Sequence, residues 1–151
     1  MRGVIQRVSR ASVFVAGREA SSIGRGMLLL LGVGREDGPE DIEWLAGKVC
    51  RARIWEDAEG RMNRSLEEVG GSVLVVSQFT LWGNLKKGSR PSYNRAAAPE
   101  VARALYEAFV LRLKEISGRA VPTGCFGEHM EVDLVNDGPV TLVLDSRQRD
   151  F

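Results

Sequence analysis

The stretch "NDGPVT", Asn136–Thr141, separates two runs near the end of the chain in which apolar and polar residues alternate. Such alternation is typical of half-buried strands. Asp137-Gly138 between two such runs favours a tight two-residue hairpin turn. Pro139 opposes this interpretation, because proline has no N–H to donate to the strand ladder directly after the turn.

Two interpretations of Pro139 are open at this point. The proline can simply stiffen a turn, since only about 5–6% of X-Pro bonds in folded proteins are cis. If the Gly138–Pro139 bond is cis, we expect the chain to reverse sharply and both carbonyl groups to project from the tip without partners. Two fixed acceptors of this kind would suit an ammonium group.

Outward from this stretch, the pattern predicts strands towards both ends of the chain. The residues of the early strands, the apolar run Gly26–Gly34 and the β-branched segment Ser72–Phe79 all favour extended structure. A short strand is expected to begin at Ile54 and Trp55, before the turn-rich segment Glu56–Gly71.

Two helices are predicted between the strands. The first begins at Pro39, a residue suited to the first helical position. The second runs from Pro99 to about Ser117 and stops at Gly118. The apolar stripe of the second helix is predicted at Val101, Leu105, Ala108, Phe109 and Ile116. We therefore predict one α+β domain spanning residues 1–151, a mostly antiparallel sheet or barrel with two main helices packed on it.

Composition limits the class of protein. Hydrophobic residues make up 44% and charged residues 27% of 151 residues, as in a globular protein with one core. The longest apolar run, Met27–Leu31, is too short to cross a bilayer, and the chain is expected in the cytoplasm without a membrane partner. The balance of 21 Lys+Arg against 20 Asp+Glu argues against indiscriminate binding to long nucleic acid.

Side chains suited to conventional catalysis are scarce. Cys125 is more simply a small buried residue than a nucleophile, and His129 is expected on an outward face rather than as a general base. Asp133 and Asp145 are expected at solvated outer positions. Two distant cysteines and one histidine provide no metal cluster, so no metal or cofactor is expected.

A polar strand end and a basic loop are adjacent in the sequence. "SQFT", Ser77–Thr80, offers hydroxyl, amide and backbone N–H groups, and the loop after it carries Lys86, Lys87 and Arg90. Charge alone would make this a solvated loop. Next to "SQFT", however, the combination suits a phosphate-bearing ligand with a carbonyl group to polarise. Both glycine-rich nucleotide-binding fingerprints are absent from the sequence.

Nearly the whole chain resembles the D-aminoacyl-tRNA deacylases, first described as D-tyrosyl-tRNA deacylases. The likeness extends from "MRGVIQRVSRASV" at the start through "SQFTL", "KKGSRPSY" and "GCFGEHM" to "NDGPVT". "SQFTL" and "NDGPVT" are the two signature motifs of that family, and both are present in the right order.

The resemblance implies a homodimer that hydrolyses the ester joining a D-amino acid, or glycine, to the 3′-terminal adenosine of tRNA. In that family the Gly-Pro bond is cis and the motif reaches into the pocket of the partner subunit. The carbonyl groups of Gly138 and Pro139 would then hold the substrate's ammonium group and exclude L-amino acids. Arg7 matches an arginine that braces this tip.

The resemblance also assigns the remaining site residues. Ser77, Gln78, Phe79 and Thr80 would form the catalytic part, with backbone N–H groups near Phe79 and Thr80 stabilising the oxyanion while a water attacks. Residues matching the family's adenosine pocket are Phe126, Gly127 and Met130. A separate hypothesis, from the charge of the basic loop, is that Lys86, Lys87 and Arg90 hold phosphates of the acceptor end. Glu128 replaces a small residue found in many relatives.

Two other hypotheses remain open from the sequence. One is a non-catalytic dimer that binds nucleic-acid ends with the same pocket, although the intact Thr80 and Gly138-Pro139 favour an enzyme. The other is a related editing domain with a trans Gly-Pro bond and a different mischarged tRNA as its target.

Overall fold

The computed structural model of this chain describes residues 1–150. Within them lie seven strands, two α-helices and a short 3₁₀ helix, Phe79–Trp82. The strands are β1 (Arg2–Val15), β2 (Arg18–Ile23), β3 (Gly26–Gly32), β4 (Arg53–Glu56), β5 (Met62–Ser65), β6 (Ser72–Ser77) and β7 (Glu131–Asp145); the helices are α1 (Pro39–Arg51) and α2 (Pro99–Ser117). The predicted α+β class with two main helices is confirmed.

The long strand β1 organises the main sheet. On one side it pairs with β3 along its first half and with β2 along its second half, and on the other side it pairs with β7 over nearly its full length. All of these pairs are antiparallel, as predicted. The exception is β3 with β6, a parallel pair, because α1 and the β4–β5 hairpin form a crossover between them.

The core lies on both faces of the sheet. Leu29 of β3 and Val75 of β6 pack beneath the helices, whereas Leu28 and Leu74 face a smaller cluster on the opposite side. Strands buried on both faces need continuous apolar sequence rather than alternation. This explains the uninterrupted runs of these two strands. The predicted strand Ser72–Phe79 ends at Ser77, where the chain enters the 3₁₀ helix.

Both helices begin where the sequence predicts, and α2 also ends there. Pro39 and Pro99 occupy the first turns, and Gly118 closes α2 with a positive φ of 64°. The predicted stripe of α2 is wrong at Val101 and Ala108, which are exposed. The stripe that packs on α1 and the sheet runs through Tyr106, Phe109 and Leu113 instead. No helix within residues 1–150 is long and apolar enough to cross a membrane.

The segment around "NDGPVT" is not a hairpin, and the predicted sharp reversal is wrong. The residues before and after it pair with the same strand in one direction, so β7 continues through it. Between the pairs Gln6↔Thr141 and Val8↔Asn136, β1 advances two residues and β7 advances five. The excess residues form an outward bulge on β7.

The predicted solvated outer position of Asp145 is also wrong. Asp145 is buried at the end of β7, and Arg2 Nε donates to its Oδ2 at 2.8 Å. Burial alone would raise the pKa of Asp145, but hydrogen bonds from Arg2 and from the backbone of Arg147 lower it below its ordinary value. Asp133, by contrast, is exposed and pairs with Arg10, as expected for an outer position.

Candidate functional site

A cavity of about 480 Å³ opens where β6 ends, between α2 and the segment that leads into β7. Most of the residues that line it are apolar. Its lining comprises Leu31, Val33, Val76, Ser77, Gln78, Phe79, Ala97, Pro99, Ala102, Tyr106, Phe126, Gly127, Glu128, His129, Met130 and Val132. Six of these residues were assigned to the site from the sequence. Three belong to "SQFTL" (Ser77, Gln78 and Phe79) and three to "GCFGEHM" (Phe126, Gly127 and Met130).

The first wall consists of Ser77, Gln78 and Phe79. Gln78 N–H donates to Leu31 O at 2.8 Å, which fixes the chain as it leaves the sheet. The backbone N–H groups of Phe79 and Thr80 then start the 3₁₀ helix and donate to no acceptor among residues 1–150. Helix geometry leaves such first N–H groups free for a ligand.

Thr80 is set back from this wall. Its hydroxyl oxygen accepts a hydrogen bond from the side-chain amide of Gln78, and the residue is exposed outside the cavity lining. The ring of Phe79 is 57% exposed and lies edge-on to Tyr93, with 5.0 Å between the ring centroids. The catalytic role assigned to Thr80 stays a prediction.

The opposite wall is the turn that contains Phe126 and Gly127. Gly127 has a φ of 84°, a left-handed conformation that favours glycine. Arg103 of α2 holds this turn: its guanidinium lies 4.8 Å from the centroid of the Phe126 ring and donates to Phe126 O at 3.3 Å. Met130 completes the wall from below.

Sequence reasoning missed four other residues of the lining. Val33 directly follows β3, whereas Ala97, Ala102 and Tyr106 come from the first half of α2 and the residues before it, and only the tertiary fold places these two segments together. Tyr106 donates its hydroxyl to Val75 O at 2.9 Å, and burial raises its pKa to about 12. The aromatic character of Tyr106 on a helix that begins beside the site is the one signal that could have indicated it.

Two polar residues at the mouth bear on earlier expectations. His129 is exposed, as expected, but it also lines the cavity. Glu128 also lines the cavity, with an exposed side chain. Residues 1–150 contain no cluster of three or more His, Cys, Asp or Glu side chains that could hold a metal ion.

The second part of the site is the bulge Asp137–Pro139. Its Gly138–Pro139 bond is cis, so the trans geometry of the third hypothesis is not found. Gly138 and Pro139 are exposed, and neither has a partner in the register with β1. The role of their carbonyl groups in binding a ligand stays a prediction.

Four hydrogen bonds from the side chains of Arg7 and Asn136 hold this bulge in place. Arg7, only 7% exposed, donates its Nε to Asp137 O at 2.8 Å and its Nη1 to Ile54 O at 2.5 Å. The side-chain amide of Asn136 donates to Arg7 O and Val140 O, both at 3.1 Å. The bulge is thereby tied to β1 and to β4.

Comparison with known proteins places these two motifs in a family. The family model described as D-Tyr-tRNA(Tyr) deacylase matches residues 4–145. A D-aminoacyl-tRNA deacylase from Opitutus terrae is 59% identical over 150 residues, covering 99% of this chain and 100% of that protein. The corresponding protein of Chloroherpeton thalassium is 56% identical over 146 residues, covering 97% and 96%.

This chain belongs to the D-Tyr-tRNA(Tyr) deacylase family. The family resemblance and the class of enzyme predicted from the sequence, a hydrolase, are confirmed. The two signature motifs of this deacylase family fall on the cavity wall and on the bulge of β7.

Solved structures agree with the family's fold. One described as c-Myc DNA Unwinding Element Binding Protein superimposes with a TM-score of 0.91 at 38% identity, covering 96% of this chain and 98% of that one. Another, described as a probable eukaryotic D-amino acid tRNA deacylase, has a TM-score of 0.78 at 20% identity, covering 95% and 97%.

Within one deacylase protomer, the predicted site residues remain in separate places. Gly138, Pro139 and Arg7 lie outside the cavity lining. Lys86, Lys87 and Arg90 lie in an exposed loop that is closed by reciprocal 2.9 Å backbone hydrogen bonds between Asn84 and Ser92, and they too are absent from the lining. Their role in phosphate binding stays a prediction.

Proposed function

We propose that this chain hydrolyses the ester bond between a D-amino acid, or glycine, and the terminal adenosine of tRNA. The observation that carries the proposal is the exposed bulge of β7, which Arg7 holds and whose Gly138 and Pro139 lie outside the lining of the chain's own cavity. A largely apolar cavity suits a nucleoside, and a fixed pair of carbonyl oxygens suits an ammonium group. Family membership supports the same reaction.

The proposal requires a homodimer, and the edge of the sheet supports one. β7 has no strand partner on its outer side among residues 1–150. It exposes Val135, Leu142 and Val143, which are 40–47% accessible. A long edge with apolar side chains is a ready surface for a second chain. A two-fold dimer across β7 would bring each bulge towards the partner's cavity.

The selection of chirality is steric in this proposal. The carbonyl groups of Gly138 and Pro139 from the partner hold the ammonium group while the ester carbonyl is held at the cavity wall. With both groups fixed, a D side chain points outwards and an L side chain points into backbone that cannot move aside. Rejection therefore does not depend on the kind of side chain, and glycine passes because it has no Cβ.

The chemical step then needs few reactive side chains. In the proposed mechanism, the free N–H groups of Phe79 and Thr80 stabilise the oxyanion, a contribution of about 2.7–4 kcal/mol for one donor. A water attacks the ester carbonyl, and the ribose 2′-hydroxyl of the substrate assists. The scarcity of ionisable side chains in the cavity lining agrees with this mechanism.

The direct test offers D-tyrosyl-tRNA, L-tyrosyl-tRNA and glycyl-tRNA at equal concentrations and follows ester loss. We expect rapid loss of the D-tyrosyl and glycyl esters and none above background of the L-tyrosyl ester. Equal hydrolysis of the two tyrosyl enantiomers would contradict the steric mechanism, and no hydrolysis of any ester would contradict the activity.

A mixing experiment tests whether the bulge acts across the dimer. One variant carries Gly138→Ala, which damages the bulge, and the other carries Ala102→Trp, which fills the cavity. If the bulge acts in the partner, each mixed dimer contains one intact cavity facing one intact bulge. Random exchange of subunits should then restore about a quarter of the wild-type activity. If the bulge acts within its own chain, the mixture stays as inactive as its components.

The basic loop is tested separately. Replacing Lys86, Lys87 and Arg90 with Gln should raise KM and weaken its salt dependence, while the preference for D over L persists. An unchanged KM would remove these residues from the substrate-binding site.

The alternative of a nucleic-acid-end binder is favoured by one observation, the likeness to a structure described as a DNA-binding protein. The same set of esters decides between the two functions. A binder without activity would retain affinity for the RNA end and release no amino acid.

A further inference from the structure

A second cavity, of about 260 Å³, lies beside the first and has the opposite chemical character. Its polar lining consists of Arg35, Glu36, Asp37, Asn94, Arg95 and Arg147. Trp82, the last residue of the 3₁₀ helix that starts at the first cavity, forms its floor.

A short antiparallel bridge connects the two cavities. Gly34 pairs with Ala96, flanked by hydrogen bonds from Ala97 N to Val33 O and from Arg35 N to Arg95 O, each 3.0 Å long. At one end of the bridge, Val33 and Ala97 line the first cavity. At the other end, Arg35 and Arg95 line the second.

The two carboxylates of the second cavity already have partners. The carboxylate of Asp37 receives hydrogen bonds from the N-terminal ammonium group and from Gly34 N, both at 2.6 Å, and its side chain is 1% exposed. Glu36 lies 3.7 Å from Arg147, which also pairs with Asp37. Within the described residues, both carboxylates therefore pair with the N-terminal ammonium group or with Arg147 rather than with the other two arginines.

Arg35 and Arg95 are the two arginines of this cavity whose charge no carboxylate of the described residues neutralises. Both are exposed, and neither forms an ion pair with a carboxylate of residues 1–150. Like charges directly opposite one another on neighbouring strands are destabilising. The guanidinium of Arg95 is held 5.4 Å from the centroid of the buried Trp82 ring. An anion bound in the cavity that both residues line would offset their charge, and phosphate oxygens match planar guanidinium donors.

We infer that the second cavity binds the phosphodiester that precedes the terminal nucleotide of a single-stranded RNA 3′ end. The inference rests on the proposed function, because it requires the terminal adenosine in the first cavity. In this proposal the RNA strand runs from the first cavity along the bridge, where Arg35 and Arg95 lie two residues from Val33 and Ala97. Asn94 adds an amide at the same rim.

The test compares two probes in a phosphate-free buffer. The trinucleotide CCA, with a free 3′ end, carries two phosphodiesters and spans both cavities, whereas free adenosine occupies only the first. Arg35→Gln and Arg95→Gln should each weaken CCA binding about tenfold and leave adenosine binding unchanged. For each variant, the slope of log K against log salt concentration should become shallower by about 0.7. Arg61→Gln, in the turn between β4 and β5, is the matched control.

Three results would overturn the inference. Unchanged CCA affinity in both variants would overturn the inference, and so would an equal loss of adenosine affinity, since the arginines would then act through the first cavity. A similar loss in Arg61→Gln would overturn it as well, because the effect would be general charge. Hydrolysis of D-tyrosyl-tRNA by the wild type, measured in parallel, separates failure of this inference from failure of the proposed function.

Discussion

The two parts of the candidate site, the cavity wall and the bulge of β7, consist of different chemical groups. The cavity wall is made of side chains, such as Phe126 and Met130, that rest on the hydrophobic core. The bulge Asp137–Pro139 presents main-chain atoms, and charged and amide groups hold it in place. Packing over a large apolar area tolerates conservative changes, whereas a buried polar contact fails when one partner is lost.

This difference suggests that the cavity wall and the bulge have different roles in substrate recognition. In the proposed reaction, the cavity has to accept one constant group, the terminal adenosine, and shape is enough for that. The bulge has to reject a mirror image whatever its side chain, and only immobile backbone can do that. The rigidity of the bulge depends on few residues, with Arg7 foremost among them.

The largest effect is expected when the support of the bulge is removed. Arg7→Ala leaves the carbonyl groups of Ile54 and Asp137 without their buried donor, and it should lower the free energy of unfolding by about 3 kcal/mol. Deacylation should fall at least about 100-fold, because misplacement by about 1 Å costs that much. Urea unfolding and hydrolysis of D-tyrosyl-tRNA measure the two effects.

Arg10→Ala is the control on the same strand. Its side chain is exposed and its pair with Asp133 is solvated, so the expected loss is no more than about 1 kcal/mol, with normal activity. Arg7→Ala with unchanged activity would mean that the bulge needs no brace and that the contrast between the two parts is false.

A smaller effect is expected from a change within the bulge itself. A Cβ on Gly138 would collide with the backbone N of Val140 and lie 3.0 Å from its Cγ2, so the bulge must shift. Gly138→Ala should reduce deacylation about 10-fold to 100-fold and lower the free energy of unfolding by only about 1 kcal/mol. Kinetics and urea unfolding of the same preparation separate these quantities.

Gly24→Ala is the matched control, because nothing lies within 4 Å of the added Cβ. If Gly138→Ala lost stability and activity in the same proportion, the bulge would be a structural element without a separate role in substrate selection.

The sequence predicted those features that depend on neighbouring residues. Pro39, Pro99 and Gly118 mark helix ends through local backbone chemistry, and the family motifs identified the six predicted residues of the cavity wall. Features decided by a distant partner were missed. The course of β7 through the bulge depends on its register with β1, more than a hundred residues away.

The burial of Asp145 and the meeting of distant residues in the cavity lining were not predicted, for the same reason. Asp145 is buried because Arg2, 143 residues away, donates to it. Val33 and Ala97 meet only through the bridge between Gly34 and Ala96, and no periodicity in either segment indicates it. Tyr106 faces the site because the apolar stripe of α2 is shifted from the predicted one.

The smallest effect is expected on the cavity side, at Tyr106. Its hydroxyl donates to Val75 O, but Gly124 N also donates to that carbonyl at 2.9 Å, so Tyr106→Phe leaves the acceptor satisfied. The expected loss at pH 7 is about 1 kcal/mol, with nearly normal deacylation. Urea unfolding and kinetics measure both, and Tyr93→Phe, at the exposed rim, is the control for loss of a tyrosine hydroxyl.

The same variant makes a pH-dependent prediction of definite sign. Burial raises the pKa of Tyr106 from 10.0 to about 12, so between these values the unfolded chain has released a proton that the folded chain retains. The stability that this group contributes is complete below pH 10 and declines as the pH rises towards 12. Tyr106→Phe should therefore show a shallower alkaline decline in the free energy of unfolding than the wild type. Parallel curves would mean that Tyr106 ionises equally in the folded and unfolded chains, and that water reaches its hydroxyl in the folded chain.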